Sequence, residues 1–194
     1  MLLKKQKLEG THVVLEPLKV SHIKALQEAV LDGEAFNLWF ANVPRPEDMQ
    51  NYVEQAIKAM EQGNIAYAVI SKQTGNLVGT TRYYNVDHTN KRAMIGYTWY
   101  ADLAKRTSIN TEAKLLLLTY LFQVSNAVAV EFRTHFFNHT SRAAIERLGA
   151  KQDGILRNHQ IMKDGSYRDT VVYSIIASEW PAVRNNLLNK LQRK

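Results

Sequence analysis

A helical stretch set between two strand-like segments limits the topology of this chain more than any other feature. Residues 92–100 (RAMIGYTWY) and 127–134 (AVAVEFRT) are rich in β-branched and aromatic side chains, as strands are. Between them lies 105–123, KRTSINTEAKLLLLTYLFQ, whose apolar portion has the length of a helix. Strand, helix and strand in succession call for a parallel pair joined by a crossover, since no hairpin connects parallel strands. Leu115, Leu116, Leu117 and Leu118 are consecutive, so this helix is apolar nearly all round and should be covered on more than one face.

The start of that helix has the outline of an anion site. Thr107, Ser108 and Asn110 form a short polar loop running into a helix expected to begin near Thr111, with Asn110 or Thr111 as N-cap. The first turn leaves about four backbone N–H groups without intrahelical acceptors, and the peptide dipoles add roughly half a positive charge. A phosphate suits such donors. Lys105 and Arg106 just upstream add attraction. An ordinary capped core helix is the competing reading of the same residues.

The rest of the chain reads as mixed strand and helix. Residues 12–17 form a first strand, Ser21 can cap a helix to about Leu31, and Pro46 with Glu47 and Asp48 suits the first turn of another helix ending near Gly63. Residues 65–71 and 77–86 read as strands joined by a tight hairpin through Gly75. Gly96 inside the next strand marks a bulge or a close approach. Residues 138–148 form an amphipathic helix closed by Gly149, residues 154–162 and 170–177 are strands joined through Asp164-Gly165, and a charged helix anchored by Trp180 follows from Glu179. The class is α/β or α+β, with a mixed, mostly antiparallel sheet of six to seven strands flanked by helices. With neither repeat nor interdomain linker, 1–194 is expected to be one domain, its core at about 8–180 and its terminal helix at 179–194.

Composition narrows the function classes. The 194 residues include no cysteine, which excludes disulfides, thiolate zinc sites and cysteine nucleophiles and fits a reducing cytoplasm. No stretch approaches the roughly 20 apolar residues that span a bilayer, so the expectation is a cytoplasmic protein without a membrane partner. The net charge of +7 and pI near 9.5 fit a polyanionic cofactor, nucleic acid or plain solubility. The basic residues are scattered apart from terminal clusters, which argues against nucleic acid.

Residues 138–150 (NHTSRAAIERLGA), followed by 153–159 (DGILRNH), resemble the GCN5-related N-acetyltransferase (GNAT) superfamily, in the branch of bacterial enzymes that acetylate ribosomal-protein N-termini. The similarity runs from about Leu8 to Trp180. It implies that acetyl-CoA binds as co-substrate where the Gly96 strand and the following strand splay apart, along Tyr97, Thr98 and Trp99. The pyrophosphate would then rest on the loop from Ser108 through Ile109 and Asn110 to Thr111, with Lys105, Arg106 and Thr107 just upstream also among the cofactor-binding residues, and Asn138 would help hold the cofactor arm. In the family that loop reads Gln or Arg, two variable residues, Gly, one variable residue, then Gly or Ala. The matching positions here are Lys105, Ser108 and Asn110, so neither glycine is present. Many relatives place a tyrosine seven residues after the asparagine to protonate the departing thiolate, and that position is Ile145 here.

The reaction expected from the resemblance moves an acetyl group to a primary amine, a protein N-terminus or a small molecule, by direct attack in a ternary complex. Ser141, Asn138 and His135 are the candidate catalytic residues, His135 as base because an ammonium group has no lone pair for attack. Ser141 facing solvent and Asn138 acting only as a cap are the competing readings. Backbone N–H groups between Gly96 and Thr98 are candidates to polarise the thioester, so catalysis can also rest mainly on orientation. The aromatic loop with Phe36, Trp39 and Phe40 is expected to wall the acceptor groove, unless it packs on the core. Two other classes fit the residues: an acetyl-CoA-binding module with little transferase activity, and a nucleic-acid binder. Either a monomer or a homodimer is compatible.

Overall fold

The computed structural model describes residues 3–192. Eight strands form one continuous sheet: β1 (Leu8–Glu9), β2 (Val13–Pro17), β3 (Ile65–Ser71), β4 (Leu77–Asp87), β5 (Arg92–Tyr100), β6 (Ala129–His135), β7 (Lys151–Ile161) and β8 (Tyr167–Ile176). Their spatial order is β1-β2-β3-β4-β5-β6-β8-β7, and every neighbouring pair is antiparallel except β5 with β6. The sheet exceeds the expected six to seven strands by β1, whose two residues are too few to show an alternating pattern. The strand after α4 (His139–Leu148) starts at Lys151, three residues before the expected Gly154.

Helices cover both faces. α1 (Ile23–Leu31) and α2 (Met49–Glu61) bury Leu26, Val30, Met49 and Val53 against Ala66, Ala68 and Trp99, on what we call the front of the sheet. The back carries α3 (Ser108–Thr119), α4 and α5 (Trp180–Gln192), around a larger core containing Leu117, Leu118, Phe132, Ile145, Leu148 and Leu187. The expectation of a helix covered on several faces holds for α3, which buries Leu117 and Leu118 completely. Its last turn widens into a π-type segment at Tyr120–Val124. Gly149 ends α4 at φ 107°, a left-handed conformation that costs a residue without Cβ little.

Candidate active site

The parallel pair stops short. β5 and β6 are in register only from Arg92 opposite Ala129 to Met94 opposite Glu131, yet β5 continues to Tyr100 and β6 to His135. Past Met94 and Glu131 the strands diverge, leaving a wedge whose β5 edge carries backbone groups not paired to β6. That edge is bulged: the β4–β5 register slips between Thr80 and Arg82, and Tyr97 sits at φ 51°. A tyrosine at positive φ is strained by about 1–3 kcal/mol and persists only where its surroundings hold it. Thr80 Oγ1 donates to the Tyr97 carbonyl at 3.1 Å, and the Tyr97 ring packs on Tyr84 at 5.1 Å and over Arg82 at 4.5 Å. Gly96 is a close-approach position as well, since a Cβ there would come within 2.7 Å of the Tyr84 ring.

Thr98, next along the bulge, points to the back. Its Oγ1 lies 2.8 Å from Thr81 Oγ1 and accepts a hydrogen bond from Lys114 Nζ at 2.8 Å. Lys114 also donates to Thr81 Oγ1 at 3.0 Å, is only 5% exposed, and has its pKa brought down to about 7 by burial. Trp99 turns the other way, into the core beneath α1 and α2, at 6% exposure.

The crossover helix begins earlier than its sequence implies. Ser108 is its first residue and Thr107 is the N-cap, accepting the Ile109 N–H at 3.2 Å while donating to the Ala104 carbonyl at 2.7 Å. The expected cap at Asn110 or Thr111 is therefore corrected: both lie in the first helical turn, where neither needs positive φ. Positive φ falls instead on Arg106, at 61°. The amides free of intrahelical acceptors move upstream accordingly, to the set around Ser108 and Asn110. Lys105 is paired with Asp102 at the surface, while Ile109 and Thr111 are buried. Below this turn, the Glu112 carboxylate accepts the backbone N–H groups of Thr11, His12 and Val13 at 2.8, 2.6 and 2.8 Å, locking α3 to the start of β2.

At the β6 end of the wedge, Asn138 caps α4, its Oδ1 accepting the Ser141 N–H at 3.0 Å. Its own N–H donates to the His135 carbonyl at 2.9 Å, so the cap, the helix and the strand end form one unit. Ser141 is partly buried in the first turn of α4. Ile145 is 8% exposed and packs into the back core, a full turn beyond Ser141.

His135 ends β6 on the front face, 3% exposed. Its Nδ1 accepts the Phe137 N–H at 3.1 Å, so the neutral ring carries its proton on Nε2, which is buried without a partner among the described residues. Burial, with the positive charge of Arg168 second, lowers its pKa and so favours the neutral ring. The aromatic loop reaches this histidine: Trp39 meets it edge-on at 4.9 Å, and Phe40 lies 5.9 Å away. Trp39 stays 56% exposed, whereas Phe36 packs against the front core. Trp39 and Phe40 thus overhang the end of β6, and a groove lined by Phe137, Ile155, Arg157, Tyr167 and Asp169 continues from there.

Three charged residues of this region were not singled out from sequence: Arg82, Glu112 and Lys114. A signal existed for two of them, because a Glu and a Lys in the one helix that is otherwise apolar all round have to be buried with partners.

Comparison with known proteins agrees with this geometry. The pattern of the Acetyltransferase (GNAT) domain matches residues 12–151. The "Putative ribosomal N-acetyltransferase YdaF" of Bacillus subtilis (strain 168) is 27% identical over 176 residues, covering 87% of this chain and 93% of that protein. Among solved structures, a "putative acetyltransferase" of T. thermophilus is 31% identical with a TM-score of 0.86, covering 98% of this chain and 100% of that one. A GCN5-related N-acetyltransferase from Brucella melitensis is 29% identical with a TM-score of 0.87, covering 97% and 86%. The bulged wedge and the capped crossover helix lie within the matched residues, and on that match this chain belongs to the GCN5-related N-acetyltransferase family.

Proposed function

We propose that this chain transfers the acetyl group of acetyl-CoA to a primary amine within a ternary complex, and that the amine is a protein N-terminus; the B. subtilis relative is named as a ribosomal N-acetyltransferase. The observation that carries the reading is the arrest of β5–β6 pairing at Met94 and Glu131 beside the bulge at Tyr97. That opening fits an extended arm running along β5, and the amides around Ser108 and Asn110 fit a pyrophosphate at the start of α3. Acetyl-CoA supplies an activated acyl carbon on a sulfur leaving group.

The residues bind and orient. Backbone N–H groups of the Tyr97–Thr98 bulge meet the acyl oxygen, where hydrogen bonds strengthen as negative charge develops. Strain at Tyr97 fixes that edge in advance, and Lys114 holds Thr98 from behind. Asn138 and Ser141 stand at the β6 side of the wedge, where the Ser141 hydroxyl donates a hydrogen bond to the departing sulfur. The C–N bond forms as the C–S bond breaks, and the proton lost by the amine balances the thiolate. His135, with its Nδ1 engaged and its proton on Nε2, is a donor in this state and helps position the acceptor under Trp39. Catalysis then rests mainly on holding a neutral amine against the acyl carbon.

A thermal-shift titration with acetyl-CoA, paired with thiol detection over a panel of amines, tests the reading. The expected result is a rising melting temperature together with turnover on peptides bearing free N-termini. Stabilisation without turnover on any amine would leave a binding module instead.

A further inference from the structure

One cation near the bulge lacks an acceptor for its charge among the described residues. Arg82 projects from the front of β4 opposite Gly96, one residue before the bulge, and is 8% exposed. Its guanidinium lies between two rings, Tyr52 of α2 at 4.3 Å and Tyr97 at 4.5 Å. The rings cap the faces of the plane, but guanidinium N–H groups donate within the plane. There, Nε and Nη2 are buried and have no hydrogen-bond partner among the described residues. Arginine cannot escape by losing its proton, and leaving a buried charge unpaired is strongly destabilising. The Tyr52 ring and the backbone beneath the Tyr97 ring are held in place: the Tyr52 hydroxyl bonds Thr80 Oγ1 at 3.0 Å, and Thr80 in turn holds the Tyr97 carbonyl. The site is therefore built around a charge that the fold leaves uncompensated.

The surroundings favour an anion further. Tyr97 packs edge-on against Tyr84, and Arg168 lies on β8 two residues from Thr170, the partner of His135 in the sheet. Arg168 donates from Nε to Thr170 at 3.0 Å and forms no ion pair among the described residues. The carboxylates nearby are already bound, Glu131 to Arg133 at 2.5 Å and to Arg92 at 3.5 Å, and Asp169 to Arg157 at 2.6 Å. Among the described residues, the front face beside the wedge thus presents two arginines without carboxylate partners, separated by tyrosines.

Resting on the acetyltransferase reading above, we infer that Arg82 binds a carboxylate of the acceptor, so that preferred acceptors carry a carboxylate a few bonds from the amine. An arginine fork takes a carboxylate through two parallel hydrogen bonds, and the half-exposed Tyr97 ring is the side chain that has to turn aside to admit it. Because Arg82 pairs with Gly96, a carboxylate held there leaves the neighbouring amine at the bulge. The carboxylate can come from an acidic side chain near a peptide N-terminus or from the α-carboxylate of a free amino acid.

The test is calorimetric titration of the full chain in saturating CoA, which carries no acetyl group, so binding is read apart from turnover. The ligands are Ser-Glu-Ala-amide against Ser-Gln-Ala-amide, and alanine against alaninamide. At least tenfold tighter binding of one acidic member over its neutral partner is expected, and the pair that shows it names the source of the carboxylate. In Arg82→Met, which keeps the stem between the rings, the preference should fall to about twofold. If that variant does not fold, Arg168→Gln should reduce the preference at least threefold. Equal binding within both wild-type pairs overturns the inference, as does a preference unchanged in the variant that folds. Turnover on neutral acceptors accompanied by equal binding would sink this inference and leave the acetyltransferase reading intact, whereas absence of turnover alongside an acid preference would do the reverse.

Discussion

Lys114 Nζ, on the buried side of α3, donates to Thr98 Oγ1 across 2.8 Å and so ties an ammonium group, without a carboxylate partner among the described residues, to the bulge of β5. Burial brings its pKa down to about 7. Between about pH 7 and the unfolded value near 10, the folded chain binds fewer protons than the unfolded one. Stability contributed by this group therefore rises with pH across that window, and its full penalty applies below pH 7. Lys114→Met removes the penalty, so the melting temperature of the variant relative to wild type should be higher at pH 6 than at pH 10, by roughly 5–10 °C. Parallel melting profiles would show that Lys114 keeps its proton in the fold.

The start of α3 at Ser108 provides a clean probe of the phosphate donors. Proline is tolerated in the first turn of a helix, and the preceding residue, Thr107, is already extended at φ −101°, ψ −177°. Ser108→Pro should keep the melting temperature within about 3 °C, a shift of about 1 kcal/mol. It should weaken acetyl-CoA binding roughly tenfold by removing one charge-assisted donor. Unchanged affinity would move the pyrophosphate elsewhere.

Trp39 separates the acceptor from the cofactor. Its ring is half exposed and rests edge-on against His135, so Trp39→Ala should raise the acceptor KM about tenfold with the acetyl-CoA KM unchanged. The melting temperature should fall by less than about 4 °C, because little buried area is lost. A large loss of stability without a selective rise in KM would assign Trp39 to the core.

Ser141 and Asn138 should part in a similar way. A hydrogen bond to the departing sulfur is worth on the order of 1–3 kcal/mol, so Ser141→Ala should lower kcat about tenfold to a hundredfold at unchanged acetyl-CoA KM. Asn138→Ala removes the α4 cap and its tie to Ser141, and should raise the cofactor KM and lower stability by about 1 kcal/mol. Wild-type kcat in Ser141→Ala, measured where chemistry limits the rate, would take the hydroxyl out of the mechanism.

What the sequence disclosed followed from strong local patterns. The parallel pair of β5 and β6 was legible because a long apolar helix between two β-branched segments permits little else, and Gly149 and Asp164-Gly165 marked their turns by backbone chemistry. The start of α3 was misplaced because Thr107, Ser108, Asn110 and Thr111 are all plausible caps, and only the fold decides which hydroxyl meets the Ile109 amide. Arg82 and Lys114 were missed for a different reason. Their burial depends on Tyr52, Thr81, Tyr97 and Thr98, which come from α2, β4 and β5 and meet only once the sheet is built.

The central claim, acetyl transfer to an amine at the β5–β6 wedge, is tested most directly by a single-turnover experiment. Protein, a matching amount of acetyl-CoA and a pool of peptides with free N-termini are mixed, and released thiol and acetylated peptide are quantified together. The account predicts that both appear at the same rate and in equal amounts, and that both vanish when the peptide N-termini are blocked. Thiol release no faster than in the absence of protein, or equally fast with blocked peptides, would contradict it.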